Sequence, residues 1–400
     1  MPAFYKVWGW KALLALKKRI LMTPQPRPVV YAGPGAALQL CAMIAHFGHR
    51  NILLVTDKPL LELGVLDGIQ QELQAAGITI TIYDGVLPDP SAKVVDDGTA
   101  MLRQHQCDGV LACGGGSSID AAKVIALAGA NGLGALECVG LKVAKKPTLP
   151  LYAIPTTAGT GSEVTLAAVI SDNDTHEKLI VADPRIVPTA AALDPRIMQG
   201  LPPHITAATG MDALTHAIES YINTWDTDEC LHYGRSATRL ILANLPLACA
   251  DGTNLAAREA MALGSFYAGL AFTTCLVGYV HAVSHQLGRL YGVPHGLGNA
   301  MVLPHVLELL KDAAKTRLAE LAIDNGLGVA PEGEAALAQK LIDRVWALNA
   351  EIGIPRTTDK ILEKDIDDIV DAALKEGSGY PVPRFIEREE CVALVRSLRS

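Results

Sequence analysis

The sequence predicts an α/β N-terminal domain followed by an all-α C-terminal domain, and three observations carry that expectation. Up to about residue 200, short apolar runs bounded by glycine, aspartate or proline alternate with helical stretches. After Pro202 the apolar spacing is helical to the end, and no strand pattern interrupts it. A chain of 400 residues, 50% hydrophobic and only 19% charged, is also too long for one ordinary core. The expected division is an extension and linker over 1–28, an α/β domain over 29–200 and a helical domain over 201–400, with the boundary between Asp194 and Pro203.

The first 28 residues stand apart in composition. Trp8 and Trp10 lie among Lys6, Lys11, Lys17, Lys18 and Arg19, a mixture suited to a membrane-surface helix. On a helical wheel, however, Lys11 and Lys18 fall beside Phe4 and Val7. That poor segregation favours a helix packed on a neighbouring domain or subunit over membrane contact through residues 4–22. The stretch has no small-residue cleavage site of the signal-peptide kind, and a proline-broken linker, PQPRP, follows it.

From Val29 the pattern is regular. VVYAGPG at 29, NILLVTD at 51, ITITIYDG at 78, DGVLACGGG at 108 and PLYAIPTTAGTGSE at 150 read as strands ending in turn residues. One helix is expected over LLELGVLDGIQQELQAAG from Leu60, another from about Ser91 to His105, and a third over IDAAKVIALAG from Ile119. Strands apolar on both faces and alternating with helices imply a parallel sheet covered on two sides.

Composition narrows the partners. The formal net charge is −8 and no lysine- or arginine-rich stripe is present, which argues against nucleic acid. Eight cysteines, none in CxxC spacing and several inside apolar runs, read as buried hydrophobes in a reducing, cytoplasmic setting. No run approaches the roughly 18 apolar residues of a membrane span.

Two motifs carry chemistry. Asp212 and His216 in GMDALTHAIESY are four residues apart on a predicted helix, so both leave one face. His281 and His285 repeat that spacing in HAVSH, and His295 follows a Gly292-Val293-Pro294 turn that can swing a third imidazole back. A carboxylate with three or four imidazoles suits iron(II) or zinc. Any one of these histidines alone would more often be a core or surface residue.

The nucleotide signals are weaker. GGGSSID, from Gly114, follows a buried strand and opens a helix, where backbone N–H groups can cradle a diphosphate. It is not the GxGxxG fingerprint, and a tight turn with no ligand is the plain alternative. Asp57 ends the NILLVTD strand, where a carboxylate can hold ribose hydroxyls and repel a 2′-phosphate, or simply cap a helix. Thr156, Thr157, Thr160 and Ser162 supply hydroxyls in the PTTAGTGSE loop.

Together, GGGSSIDAAK, PTTAGTGSEVT, GMDALTHAIESY and HAVSH followed by His295 in PHG resemble the iron-dependent (group III) alcohol dehydrogenase family, over about residues 27–395. The resemblance implies a dehydroquinate synthase-like fold, an NAD-binding α/β domain and a helical metal-binding domain. It implies Asp212, His216, His281 and His295 as ligands of a divalent metal, iron(II) or alternatively zinc, with His285 beside the substrate as a proton relay. It further implies Gly115, Gly116 and Ser117 on the pyrophosphate, Asp120 shaping that turn, and Asp57 on the adenosine ribose. Thr156, Thr157, Thr160 and Lys178 would line the nicotinamide half. The family also suggests a homo-oligomer, at least a dimer. Two departures stand out: Asp89 replaces the asparagine between two prolines, which would alter an adenine-side contact, and the N-terminal 25 or so residues have no counterpart in the common core.

The expected activity is reversible hydride transfer between a primary alcohol and NAD. On the same fold, a hydroxyacid-oxoacid transhydrogenase is the main alternative. Metal-free maleylacetate reductases fit less well because all four candidate ligands are retained, and the lyase dehydroquinate synthase because it would be expected to carry more lysine and arginine in its helical half to hold acidic substrate groups. Phe266, Phe272, Leu276 and Val280 point to an unbranched aliphatic alcohol or to ordinary core.

Overall fold

The alternating apolar runs of the first half form one parallel sheet in a computed structural model that describes residues 22–175 and 177–400, with Leu14 and Lys18 before them. Its strands are β1 (Val29–Ala32), β2 (Asn51–Val55), β3 (Thr79–Tyr83), β4 (Gly109–Gly114), β6 (Leu151–Pro155) and β9 (Ala190–Leu193), in the order β1-β9-β6-β4-β2-β3. The strand side-chain period of two sends alternate residues to opposite faces. Leu53, Val55, Val110, Ala112 and Ala153 enter one core, while Ile52, Leu54, Leu111, Cys113 and Ile154 enter the other. Helices α1 (Ala36–His46) and α3 (Asp67–Ala75) cover the second face. The first is covered by α4 (Ala92–Gln104) and α5 (Gly116–Asn131). The inner strands β4 and β6 are buried at every position and β2 at all but its first, so they can be apolar on both faces.

Two details differ from the sequence-based expectation. The helix expected from Leu60 is broken into α2 (Lys58–Glu62) and α3, because Gly64 takes the left-handed conformation at φ +69° and ends the first piece. Residues from Gly140 onward also hold strands with no clear sequence pattern. A three-stranded sheet β5-β8-β7 is formed by β5 (Gly140–Leu141), β7 (Ala167–Ser171) and β8 (Lys178–Ala182), with β7 and β8 antiparallel. Strand β9, AAAL, is alanine-rich and carries little strand propensity of its own.

The second half contains helices and no named strand. They are α6 (Pro203–Ile222), α7 (Asp228–Ala250), α8 (Leu255–Cys275), α9 (Tyr279–Tyr291), α10 (His295–Asp324), α11 (Glu334–Glu351), α12 (Ile366–Gly377) and α13 (Arg388–Ser397). Helix α6 is buried at every position from Gly210 to Ile222, as expected for a helix enclosed on all sides; α7 and α10 pack on it. Chain contacts divide the molecule into two compact units, Gln25–Leu201 with Thr253–Ala262, and one that includes Pro202–Gly252 and Leu263–Ser400.

One corner sets the geometry of the helical unit. Between α8 and α9 the axis turns by 101°, and Leu276 adopts φ +59° there. The carbonyls of Cys275, Leu276 and Val277, left without helical partners where α8 ends, all accept from Asn223 Nδ2, at 2.9, 3.3 and 3.0 Å. No single helix among the described residues is long and apolar enough to cross a membrane. The segment 4–22, with its membrane-surface composition, lies outside the described residues save for Leu14, Lys18 and Met22. All eight cysteines are free thiols, and all but the half-buried Cys249 are buried.

Candidate metal centre

Three helices supply the polar cluster in the helical unit. Asp212 and His216 project from one face of α6, His281 and His285 from one face of α9, and His295 from the first turn of α10. Helix α10 can press this closely because its start is PHGLG. A side chain at Gly296 would collide with the Ala208 carbonyl on α6, and one at Gly298 with Ser284 Oγ on α9. Gly292, at φ +61°, ends α9 and begins the turn into Pro294, as the sequence suggested.

One oxygen of Asp212 and one nitrogen each of His216, His281 and His295 lie within 4.8 Å of one another. Asp212 Oδ1 is 3.9 Å from His216 Nε2, 3.9 Å from His281 Nε2 and 3.4 Å from His295 Nε2. A tetrahedral cation with bonds of ~2.1 Å sets its ligands roughly 3.4 Å apart, so these spacings fit a first-row divalent metal. The Asn299 amide, one turn along α10 from His295, marks the centre. Its Nδ2 is 2.7 Å from Asp212 Oδ1 and 3.2 Å from both His281 Nε2 and His295 Nε2. Three of the four candidate ligand atoms therefore lie within 3.2 Å of one point.

The surroundings keep the donors in metal-binding form. Burial, reinforced by His216, His295 and His285, holds His281 well below the usual imidazole range, so its ring is neutral. His281 Nδ1 lies 2.6 Å from Glu219 Oε2, which leaves Nε2 to face the cluster. Glu219 also accepts from Gly278 N at 2.9 Å and Val280 N at 2.7 Å, at the corner where α9 begins. Burial pushes its carboxyl up to about 8, against the pull of the backbone amides of Val280, Gly278 and His281. The His216 ring stacks on Phe272, with centroids 4.1 Å apart, and on His281 at 4.7 Å. His285 stands outside the donor set, its ring edge-on to His281 and stacked on His295. Of the apolar residues considered as pocket walls, Phe272 touches the cluster through His216, whereas Val280 is wholly buried.

The α/β unit gathers the other sequence candidates. Strand β4 runs into Gly115 and Gly116, where α5 starts with no capping side chain, and Ser117 lies in its first turn. The PTTAGTGSE loop covers this turn so tightly that a Cβ on Gly116 would stand 2.5 Å from Thr160 Cγ2. A Cβ on Gly115 would meet Thr157 Oγ1 at an ordinary 3.5 Å. Free first-turn amides and a backbone without Cβ atoms make a cradle that fits a diphosphate. Thr156 is buried and continues the sheet, its N–H donating to Gly114 O. Asp120 ties the helix to the loop, its Oδ1 accepting from Ser162 Oγ and its Oδ2 from Val169 N.

Asp57 caps α2, Oδ1 accepting from Leu60 N at 3.1 Å, so the capping role open in the sequence is present. Its Oδ2 lies 3.7 Å from the Cβ position of Gly114, beside the glycine turn, and burial raises its pKa. Lys178 opens β8 and pairs with Asp89, which holds φ +55°. The aspartate that stands where the family has asparagine therefore pairs with Lys178, the lysine that the resemblance assigns to the nicotinamide half.

The likeness to known proteins extends over almost the whole chain. The profile of the family described as iron-containing alcohol dehydrogenase matches residues 27–195, and that of its C-terminal domain matches residues 206–398. Alcohol dehydrogenase 4 of Schizosaccharomyces pombe is 38% identical over 372 residues, covering 91% of this chain and 86% of the relative. The chain belongs to the iron-containing alcohol dehydrogenase family. A crystal structure of 1,3-propanediol oxidoreductase superposes with a TM-score of 0.91 at 38% identity, covering 94% of this chain and 100% of the other. Sulfoacetaldehyde reductase from Bifidobacterium kashiwanohense, solved in complex with NAD+, gives 0.86 at 29% identity, covering 95% and 99%. The α/β-then-helical order expected from the sequence is the order found in these iron-containing alcohol dehydrogenase structures.

Three residues of this alcohol dehydrogenase centre escaped the sequence reading: Glu219, Asn299 and Glu376, the last bonded to His285. Glu219 had a signal. It lies three residues after His216 and seven after Asp212, so it shares their face of α6.

Proposed function

We propose that the protein is a metal-dependent alcohol dehydrogenase catalysing reversible hydride transfer between a primary alcohol and NAD. The observation that carries the reading is the convergence of one carboxylate and three imidazole nitrogens within 4.8 Å of one another. Family membership and the NAD-bound relative support it. Asp212, His216, His281 and His295 would hold the cation, iron(II) as the family's description has it, although the donor set serves zinc as well.

When bound, the cation supplies Lewis acidity at the alcohol oxygen and NAD supplies the hydride acceptor. The chain's own groups do the rest. The α5 amides at Gly115, Gly116 and Ser117 bind the pyrophosphate, with Asp120 bracing the loop above them. Asp57 takes the adenosine ribose and disfavours a 2′-phosphate. Thr156, Thr157, Thr160 and Lys178 line the nicotinamide half. His285 accepts the hydroxyl proton and passes it toward solvent. Phe272, stacked on His216, makes one apolar wall beside the cluster. The protein works in the cytoplasm as a homo-oligomer, at least a dimer.

The deciding experiment is metal analysis of purified protein paired with an NAD-reduction screen over alcohols of increasing chain length. Stoichiometric iron or zinc, with NADH release that a chelator abolishes, is the expected result. Turnover unaffected by chelation would overturn the reading. Turnover only in the presence of a second carbonyl acceptor would replace it with a transhydrogenase.

A further inference from the structure

His285 has a carboxylate of its own, supplied by a helix remote in sequence. Its Nδ1 lies 2.6 Å from Glu376 Oε1, and Glu376 lies in the last turn of α12. The carboxylate is itself fixed at both oxygens. Tyr380 Oη donates to Oε1 at 2.7 Å, and Gln286 Nε2 donates to Oε2 at 3.2 Å. Gln286 is held in turn, its Oε1 accepting from Arg289 Nε at 3.0 Å, while Arg289 reaches back to Asp368 on α12 at 2.7 Å. A closed polar circuit thus links α9 and α12. The close approach depends on Gly377, where any side chain would run into the Tyr279 ring.

Joining two helices would explain the outer half of this circuit. It does not explain why the carboxylate meets the one histidine of HAVSH that stands outside the metal donors. A carboxylate only accepts hydrogen bonds, so the hydrogen of the neutral imidazole must be on Nδ1 and the ring's acceptor must be Nε2. We infer that Glu376 is a positioning residue that holds His285 in the Nδ1–H tautomer, with Nε2 as the atom that accepts the alcohol proton. This rests on the reading of His285 as the proton acceptor. The carboxylate sets the ring's orientation and tautomer, while Tyr380 and Gln286 keep it from turning away.

The test uses the full-length zinc-loaded protein with ¹⁵N-labelled histidine, and the His285 signals are identified by their loss in His285→Asn. Long-range ¹H–¹⁵N spectra of the wild type are expected to show the Nδ1–H tautomer, and Glu376→Ala to shift His285 toward a mixture. In kinetics, Glu376→Ala is expected to lower kcat about 10- to 100-fold, part of the 10²–10⁴ that positioned proton transfer supplies. KM for alcohol and NAD and the zinc content should stay within about twofold, which a folding defect would not spare. In a His285→Asn background the same change should cost less than about twofold further, because the two act as one unit. A wild-type Nε2–H tautomer, or equal losses in both backgrounds, would overturn the inference. If no alcohol reduces NAD at all, the proposed function fails, and the tautomer spectrum still decides the role of Glu376.

Discussion

Glu219 and His281 are bonded at 2.6 Å, both nearly inaccessible to solvent, and this single contact joins the metal cluster to the corner that aims it. The same carboxylate holds the amides of Gly278 and Val280, so one side chain orients a metal-facing imidazole and anchors the start of the helix that carries it. Carboxylates behind metal-bound histidines contribute about 10- to 100-fold in metal affinity. Glu219→Ala is therefore expected to weaken metal binding by that factor, read by competition with a chelating dye. It should also lower stability by about 1–3 kcal/mol, because two buried amides lose their acceptor.

The two histidines of HAVSH are expected to part company on substitution. His281 belongs to the converging donor set, and His285 faces Glu376 instead. His281→Ala should leave the purified protein with well under one equivalent of metal. His285→Ala should keep full metal content while losing most of its turnover, about 10²-fold or more for a lost proton-transfer group. Metal analysis of the two variants side by side separates the roles; equal metal loss in both would put His285 on the cation.

The glycines at the start of α5 allow packing and ligand approach to be told apart. A methyl group on Gly116 would stand 2.5 Å from Thr160 Cγ2, so Gly116→Ala must push the PTTAGTGSE loop aside. A loss of about 1–3 kcal/mol is expected, with a raised KM for NAD. At Gly115 the nearest neighbour of an added methyl is Thr157 Oγ1 at 3.5 Å, and the backbone there is extended, at φ −75° and ψ −171°. Gly115→Ala should leave the melting temperature nearly unchanged and still weaken NAD binding, because its methyl would occupy the anion's approach to the first amides. Calorimetry with NAD and thermal melts on both variants check this.

The five candidate side chains were legible because each pair is local: i,i+4 spacing puts Asp212 with His216 and His281 with His285, and a glycine-proline turn brings in His295, while the family resemblance set His285 apart. The sheet strands that end in glycine or aspartate were legible for the same reason. What sequence spacing could not supply was anything decided by a remote partner. Glu219 meets His281 across 62 residues, and Glu376 meets His285 across 91. Glu376 sits in DAALKEGSGY, which reads as the end of an ordinary amphipathic helix. Strand β9 is three alanines and a leucine, a strand only because β1 and β6 flank it. The break at Gly64 depends on one left-handed residue inside an otherwise helical pattern.

Behind the glycine turn, a buried acid and base should leave a mark on the pH dependence of stability. Lys123 is fully buried, its Nζ donating to Thr165 Oγ1 at 2.8 Å and to Ala167 O at 2.7 Å. Burial pushes it down to about 8, with Asp120 and Glu163 pulling it back up. Glu163, also buried, is pushed up to about 7 by loss of water, while its backbone hydrogen bond and then Lys123 pull it down. Between about 4.5 and 7 the folded chain keeps a proton on Glu163 that the unfolded chain has released, so that contribution to stability is lost as pH rises through this window. Lys123 behaves oppositely: between about 8 and 10.5 the unfolded chain holds the extra proton, so its contribution is lost as pH falls. The pair is least favourable near pH 7 to 8, where both are charged. Glu163→Gln should therefore gain about 1–3 kcal/mol relative to the wild type between pH 5 and 7.5. Urea unfolding of both proteins at the two pH values measures it. A wild-type-minus-variant difference that does not change with pH would mean that Glu163 titrates as an ordinary solvated carboxylate.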